Sequence, residues 1–219
     1  MAPSESEIST LLKNGAYSAD LIPKFEEYVS AQIAGQTPYH ADAVRRLMKL
    51  YQFYPNTAKP DKIAEGCFLA LLQFPAHTDF LALKYMIPSN TLNQETCGLV
   101  KACFQDLESC QFAQFWETYA QLESSSTLSS YLTPETRKTF QAAILQVMAL
   151  TYKQAPSSVV LPACQVDSVD AIKGHSSVES VSGDTVVFVT TADNTKRQRV
   201  YQESLDFASI SALMSQISQ

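Results

Sequence analysis

The side chains that could carry chemistry are few and scattered. The clearest pairing is His77-Thr78-Asp79, an imidazole two residues from a carboxylate, which would be half of an acid–base triad if a nucleophile faced it. No motif supplies one. There is no Gly-x-Ser-x-Gly elbow, and the six glycines form neither a phosphate loop nor a dinucleotide fingerprint. The ordinary reading is structural: Asp79 caps the helix that starts there, and His77 bonds a carbonyl in the turn. His40, His77 and His175 lie far apart and share no metal-ligand spacing with Cys67, Cys97, Cys103, Cys110 and Cys164. Five cysteines without a C-x-x-C pair, most at apolar helical positions, read as buried free thiols in a reducing compartment. Phe112, Phe115, Trp116 and Tyr119 recur at helical spacing, so they read as core rather than as a ligand pocket. One basic cluster, Lys196, Arg197 and Arg199, could touch phosphate.

Composition narrows the classes further. The 219 residues are 46% hydrophobic and 17% charged, enough apolar matter for a real core, with net charge −6. An acidic chain is repelled by phosphate backbones unless its cations cluster. The opening MAPSESEIS is polar and acidic, unlike a secretory leader, and no apolar run approaches the roughly 20 residues of a membrane span. The expected location is the cytoplasm, with the nucleus as the other option.

The elements that must position these groups are mostly helices. The longest is expected over 133–153. Thr133 is placed to cap it, Pro134 fits its first position, and Phe140, Ile144, Val147, Met148 and Thr151 make one apolar face. Before it, apolar residues at three- and four-residue steps mark seven shorter helices. They begin near Ile8, Leu21, Val44, Pro60, Thr78, Leu99 and Phe112, and are broken by Asn14-Gly15, Gly35, Pro55, Pro75 and Pro88. Short turns imply antiparallel pairs, which stacked together would form a HEAT-like array.

After Pro156 the pattern changes. Val159-Val160-Leu161 reads as a short strand, Val166 to Ile172 as a short helix, and Val178–Val181 with Val186–Val189 as a β-hairpin turned by Gly183. That is the element order of a winged helix. The candidate recognition helix, however, carries Asp167 and Asp170 against a single Lys173, a poor set for reading base edges. The fold class is therefore mainly α. A HEAT-like domain over 1–132 is expected to lead into a winged-helix domain over 133–219, which closes on an amphipathic helix carrying Phe207, Ile210, Leu213, Met214 and Ile217.

Several segments carry a resemblance. They are Phe25-Glu26-Glu27-Tyr28-Val29, Leu50 through Pro55, His77-Thr78-Asp79-Phe80 with Met86-Ile87, Cys110 through Trp116, and Leu205-Asp206-Phe207 with Ile210 and Met214. In this order the chain resembles the subunit-K family of eukaryotic translation initiation factor 3, a PCI-type scaffold family. Ala76 lengthens the His77 turn by one residue relative to the family pattern, and 155–199 departs from it. The resemblance implies a non-catalytic scaffold without cofactor, contributing to assembly of the initiation machinery on the 40S ribosomal subunit. It implies other initiation factor 3 subunits as partners, chiefly subunit L. It also implies that the C-terminal helix joins a multi-subunit bundle through Phe207, Ile210, Leu213, Met214 and Ile217. Packing of that helix on its own domain is the alternative. Other readings are a paralogous subunit of the proteasome lid or COP9 signalosome, or a winged-helix RNA-binding module using Lys196, Arg197 and Arg199.

Overall fold

The computed structural model describes residues 3–15, 17–124, 127–195 and 207–217; within the last stretch the side chains of Ser209, Ala212 and Leu213 are outside that description. The helices run α1 Glu5–Lys13, α2 Ile22–Ile33, α3 Ala41–Phe53, α4 Pro60–Leu71, α5 Thr78–Met86, α6 Ser89–Leu92, α7 Glu95–Glu108, α8 Phe112–Glu123 and α9 Pro134–Thr151. After α9 come β1 Gln154–Pro156, α10 Ser157–Cys164, β2 Val178–Ser182, β3 Thr185–Phe188 and α11 Phe207–Ile217.

Local chemistry explains most of the boundaries. The Ser4 hydroxyl accepts from Glu7 N at 3.3 Å and starts α1, and the Thr133 hydroxyl does the same for Thr136 N at 3.3 Å to start α9. Pro23, Pro60 and Pro134 each fall in a first helical turn, where the missing N–H costs nothing. Gly15, at φ +67°, turns the chain out of α1 in a conformation that a Cβ disfavours.

One hydrophobic core runs from Ile8 to Phe188. Phe25, Tyr28, Leu47, Phe68 and Ile8 fill its first half. Phe80 and Phe104 stack in the middle, with ring centroids 4.1 Å apart. Two buried carboxylates tie α2, α3 and α4 together. Glu26 accepts from Tyr51 OH at 2.7 Å and Lys59 Nζ at 2.6 Å. Glu65 accepts from Ser30 at 3.1 Å and Lys62 at 2.8 Å. Burying an unpaired carboxylate costs several kcal/mol, so these partners are obligatory.

The second half departs from the sequence reading in three places. Residues 159–161 are not a strand. They lie inside α10, where Ser157, Val160 and Cys164 are buried at helical spacing while Val159 faces solvent. Val166 to Ile172 holds only a single 3-10 turn, Val169–Ala171, closed by Lys173 on Asp170 at 2.6 Å. And α9 buries more than one stripe: Ala143, Leu145 and Ala149 are covered along with Phe140, Ile144 and Met148, whereas Thr151 is exposed.

The hairpin forms as expected and recruits β1 into a three-stranded antiparallel sheet of order β1-β3-β2. Val181 faces Val186 and Ala155 faces Val186 from the other side. Gly183, at φ +59°, makes the turn. The backbone carbonyl of its neighbour Asp184 accepts the Ser157 N–H at 2.8 Å, and the Asp184 carboxylate accepts the Ser157 hydroxyl, which places that carboxylate at the N-terminus of α10.

Candidate protein-interaction surface

The joint between the helical stack and the sheet is built around the chain's only tryptophan. Trp116 sits on α8 with its ring 4.9 Å from Phe115 and 5.6 Å from Tyr119, and Phe140 of α9 packs 5.2 Å from Phe115. These residues are core, as their spacing implies. The indole also does something that spacing does not reveal. Its Nε1–H donates to Ala163 O at 2.8 Å. The last four carbonyls of a helix lack intrahelical partners. In α10, Leu161 O accepts from Val166 N, Pro162 O from Gln165 N, and Ala163 O from Trp116.

Arg137 of α9 completes the joint. Its guanidinium lies 5.5 Å from the Trp116 ring and 5.4 Å from Tyr119. It pairs with Glu123 at 2.7 Å and donates to Gln165 Oε1. Gln165 is the left-handed residue that ends α10. Beside the joint, a groove of about 550 Å³ opens between the start of α8, the end of α9 and α10. Its walls include Phe112, Val147, Met148 and Pro162, with Tyr152 and Val159 exposed at its rim.

The terminal helix presents a different surface. On α11, Phe207, Ile210, Met214 and Ile217 fall on one face, and they are 85%, 45%, 62% and 78% exposed. The Leu213 side chain is outside the described residues, so its place on this stripe stays an expectation. Ser211, Ser215 and Gln216 are exposed as well. Lys196, Arg197 and Arg199 also lie outside the described residues. The chain leading toward them is anchored by Asn194, whose Nδ2 donates to Ala149 O at 2.9 Å and Val189 O at 2.8 Å.

The His77–Asp79 pair is not brought together. Asp79 accepts from Tyr39 OH at 3.1 Å and is ion-paired to Arg45, which also holds Asp42 at 3.0 Å. His77 itself ends the turn, with Nδ1 3.4 Å from Pro75 O. The expected carboxylate cap is absent: α5 starts without a side-chain cap, because Asp79 turns toward α3. Sequence separation of 34 and 40 residues hid that role.

Four thiols are buried and Cys110 is exposed, at φ +57° between α7 and α8. Burial raises the thiol of Cys97 to about 11 and that of Cys164 to about 12; for Cys97 the nearby Asp61 charge adds to the effect. Cys67 and Cys103 are pushed up further by the same cause. Among the described residues, no helix is long and apolar enough to cross a membrane.

Known proteins resemble this chain over most of its length. It is 29% identical over 196 residues to eukaryotic translation initiation factor 3 subunit K of Dictyostelium discoideum, covering 88% of this chain and 76% of that protein. The human protein of the same name is 25% identical over 212 residues, 95% of this chain and 94% of its own length. That of Bombyx mori reaches 32% over 126 residues, 57% of each. Residues 59–173, from the start of α4 past α10 and into the 155–199 segment, match the CSN8/PSMD8/EIF3K family. With more than half of its residues matched, the chain belongs to the CSN8/PSMD8/EIF3K family.

Proposed function

We propose that this chain is a non-catalytic scaffold subunit of eukaryotic translation initiation factor 3 that helps to assemble the initiation machinery on the 40S ribosomal subunit. The observation that carries the reading is the near end-to-end similarity to proteins named as subunit K in organisms as distant as Dictyostelium and human. In this reading residues 1–132 form a HEAT-like helical domain and 133–219 a winged-helix domain of the PCI type. The joint at Trp116 and Arg137 holds the two as one rigid unit. Assembly takes place in the cytoplasm, chiefly with subunit L.

The terminal helix supports a role in assembly. Isolated helices shorter than about 12–15 residues are marginal in water, and α11 has 11. Its apolar face is largely exposed. Fully burying each such side chain is worth about 1.5–3 kcal/mol, so a bundle with helices of neighbouring subunits would stabilise both the helix and the complex.

The test is capture of tagged chain from native lysate with partners identified by mass spectrometry, beside a twin ending before Leu205. Initiation factor 3 subunits recovered with the full chain and lost with the twin support both the function and the helix. Recovery with both assigns assembly to the helical domain. Proteasome-lid or signalosome subunits would select the paralogous reading, which the breadth of the matched family keeps in view.

A further inference from the structure

The chain holds two dipeptides that a proline-directed kinase could use, Thr37-Pro38 and Thr133-Pro134; none of its other prolines follows a serine or threonine. The structure treats the two hydroxyls differently. The Thr37 hydroxyl oxygen is closed off from solvent. Its loop, between α2 and α3, is tied down on both sides: Gln36 N donates to Ala31 O at 2.9 Å, His40 N to the Gln32 side-chain oxygen at 2.6 Å, and Tyr39 OH to Asp79 at 3.1 Å. A kinase could reach Thr37 only by opening that loop.

Thr133 stands open. It and the two residues after it, Pro134 and Glu135, are exposed. Its backbone is extended, at φ −88° and ψ 165°, the conformation in which a substrate segment enters a kinase cleft. Local opening at a helix start costs little, because the first N–H groups have no partner within the helix to lose. A cavity of about 420 Å³ lies beside the residue, lined by Thr133, Arg137, Lys138, Gln141 and Glu123 among others. Arg137 N donates to Thr133 O at 3.1 Å, so the two residues are one turn apart on the same face, and the arginine side chain is directed back toward the helix start. Both cations hold carboxylates: Arg137 pairs with Glu123 at 2.7 Å and Lys138 with Glu135 at 3.0 Å.

We propose that Thr133 is the phosphoacceptor of a proline-directed kinase and that its phosphate takes Arg137 from Glu123. In the transfer the γ-phosphoryl group of ATP moves to Thr133 Oγ1. The bond to the β–γ bridging oxygen breaks, ADP leaves, and the hydroxyl proton passes to the base of the kinase. The product places a charge of about −1.5 to −2 and three acceptor oxygens at the start of α9, where charge of that sign is favoured. Such a phosphate attracts a guanidinium more strongly than a single carboxylate does. Arg137 also lies against Trp116 and Tyr119 and donates to Gln165, so the modification reaches the joint between the helical stack and the sheet. The proposal does not rest on assembly into the initiation factor, because it concerns the chain alone.

The test offers the full-length chain, with ATP, to a mitogen-activated kinase and to a cyclin-dependent kinase, beside synthetic peptides of residues 32–42 and 128–138. Sites and rates are read by peptide mass spectrometry. Thr133 in the folded chain should be modified at no less than about one tenth of its rate in the free peptide, and Thr37 at less than about one hundredth of its own. Thr133→Ser should keep the incorporation and Thr133→Ala should abolish it, with the far-ultraviolet dichroism of both confirming that they fold. Absence of incorporation at Thr133 with either kinase overturns the proposal. So does incorporation that Thr133→Ala leaves intact, or protection of Thr133 as deep as that of Thr37. In the phosphorylated chain the phosphate should titrate, by phosphorus NMR, at least about 0.5 unit below the roughly 6 of a free phosphothreonine, and Arg137→Gln should reverse most of that shift. A midpoint that Arg137→Gln leaves unchanged overturns the capture of Arg137.

Discussion

Replacing Trp116 by Phe tests how the two halves of the chain are held together. Two losses follow from the structure. The carbonyl of Ala163, part-buried, loses its partner at 2.8 Å, and an acceptor left unsatisfied costs about 1 kcal/mol, rising to about 3 where water cannot replace the donor. The indole, 4% exposed, is also larger than a phenyl ring by about three heavy atoms, worth about 1–2 kcal/mol of lost burial and contact. Together the substitution should destabilise the chain by about 2–5 kcal/mol. For a protein of this size each kcal/mol lowers Tm by about 2–4 °C, so a fall of roughly 4–20 °C is expected. Far-ultraviolet circular dichroism is the suitable readout, because the variant has no tryptophan left to report by fluorescence. Arg137→Ala is the comparison: it keeps the Ala163 bond and removes two ring contacts, a partly exposed ion pair and an exposed bond to Gln165, so it should cost only about 1–2 kcal/mol. A loss below about 1 kcal/mol for Trp116→Phe, or one no larger than for Arg137→Ala, would refute the idea that the indole bond seats α10.

Four further outcomes are expected. Phe207→Asp with Ile217→Asp should leave Tm within about 1 °C, since both side chains are largely exposed, and should sharply reduce co-capture of partner subunits; unchanged capture would remove α11 from assembly. Under native conditions a thiol reagent should modify Cys110 and spare the four buried cysteines, as peptide mass spectrometry would reveal. Those four thiols also fix the sign of alkaline sensitivity: the unfolded chain releases their protons near pH 8.5–9 while the native chain keeps them to about 11 or beyond, so stability should fall as pH rises above about 9, by up to about 1.4 kcal/mol per unit per thiol, and replacing Cys97 and Cys164 by Ala should flatten that fall. Finally, His77→Ala should be nearly silent in a melt, whereas Asp79→Ala, which strips Arg45 and Tyr39 of a shared acceptor, should cost about 1–3 kcal/mol.

What could be read from the chain was whatever local chemistry decides. Thr133-Pro134 starts α9 because cap and first-turn geometry need only neighbouring residues. Gly183 turns the hairpin because the turn needs φ above zero. The aromatic run 112–119 is buried because its spacing is helical and its side chains are large. Residues 159–161 misled for an equally local reason. Two valines and a leucine have the propensity of a strand, but burial of Ser157, Val160 and Cys164 beneath α8 and α9 imposes a helical period that overrides it. Pro162, at the sixth of eight positions of α10, is tolerated because it removes a single N–H near the helix end. Long-range pairs were invisible: Trp116 with Ala163, Asp184 with Ser157, Asp79 with Arg45, and Tyr17 with Phe53.

Two of those pairs, with two further long-range bonds, share a direction that bears on how such a chain works as a scaffold. They join side chains to the ends of helices: the indole to the last turn of α10, Asp184 to its first, Asn194 to the end of α9, Arg46 to the carbonyl of Leu12 in α1. A packed face fixes how far apart two helices lie, but it tolerates sliding along the axis. A bond to a helix end removes that freedom, because the donor is at one height only. With α10 fixed at both termini against α8 and the hairpin, the groove beside it and the exit toward residue 196 keep a set geometry. A scaffold gains from this rigidity, because the joint itself has little conformational entropy left to lose on assembly. Loosening α10 through Trp116→Phe should therefore weaken partner capture as well as stability, even though Trp116 is buried far back in the joint.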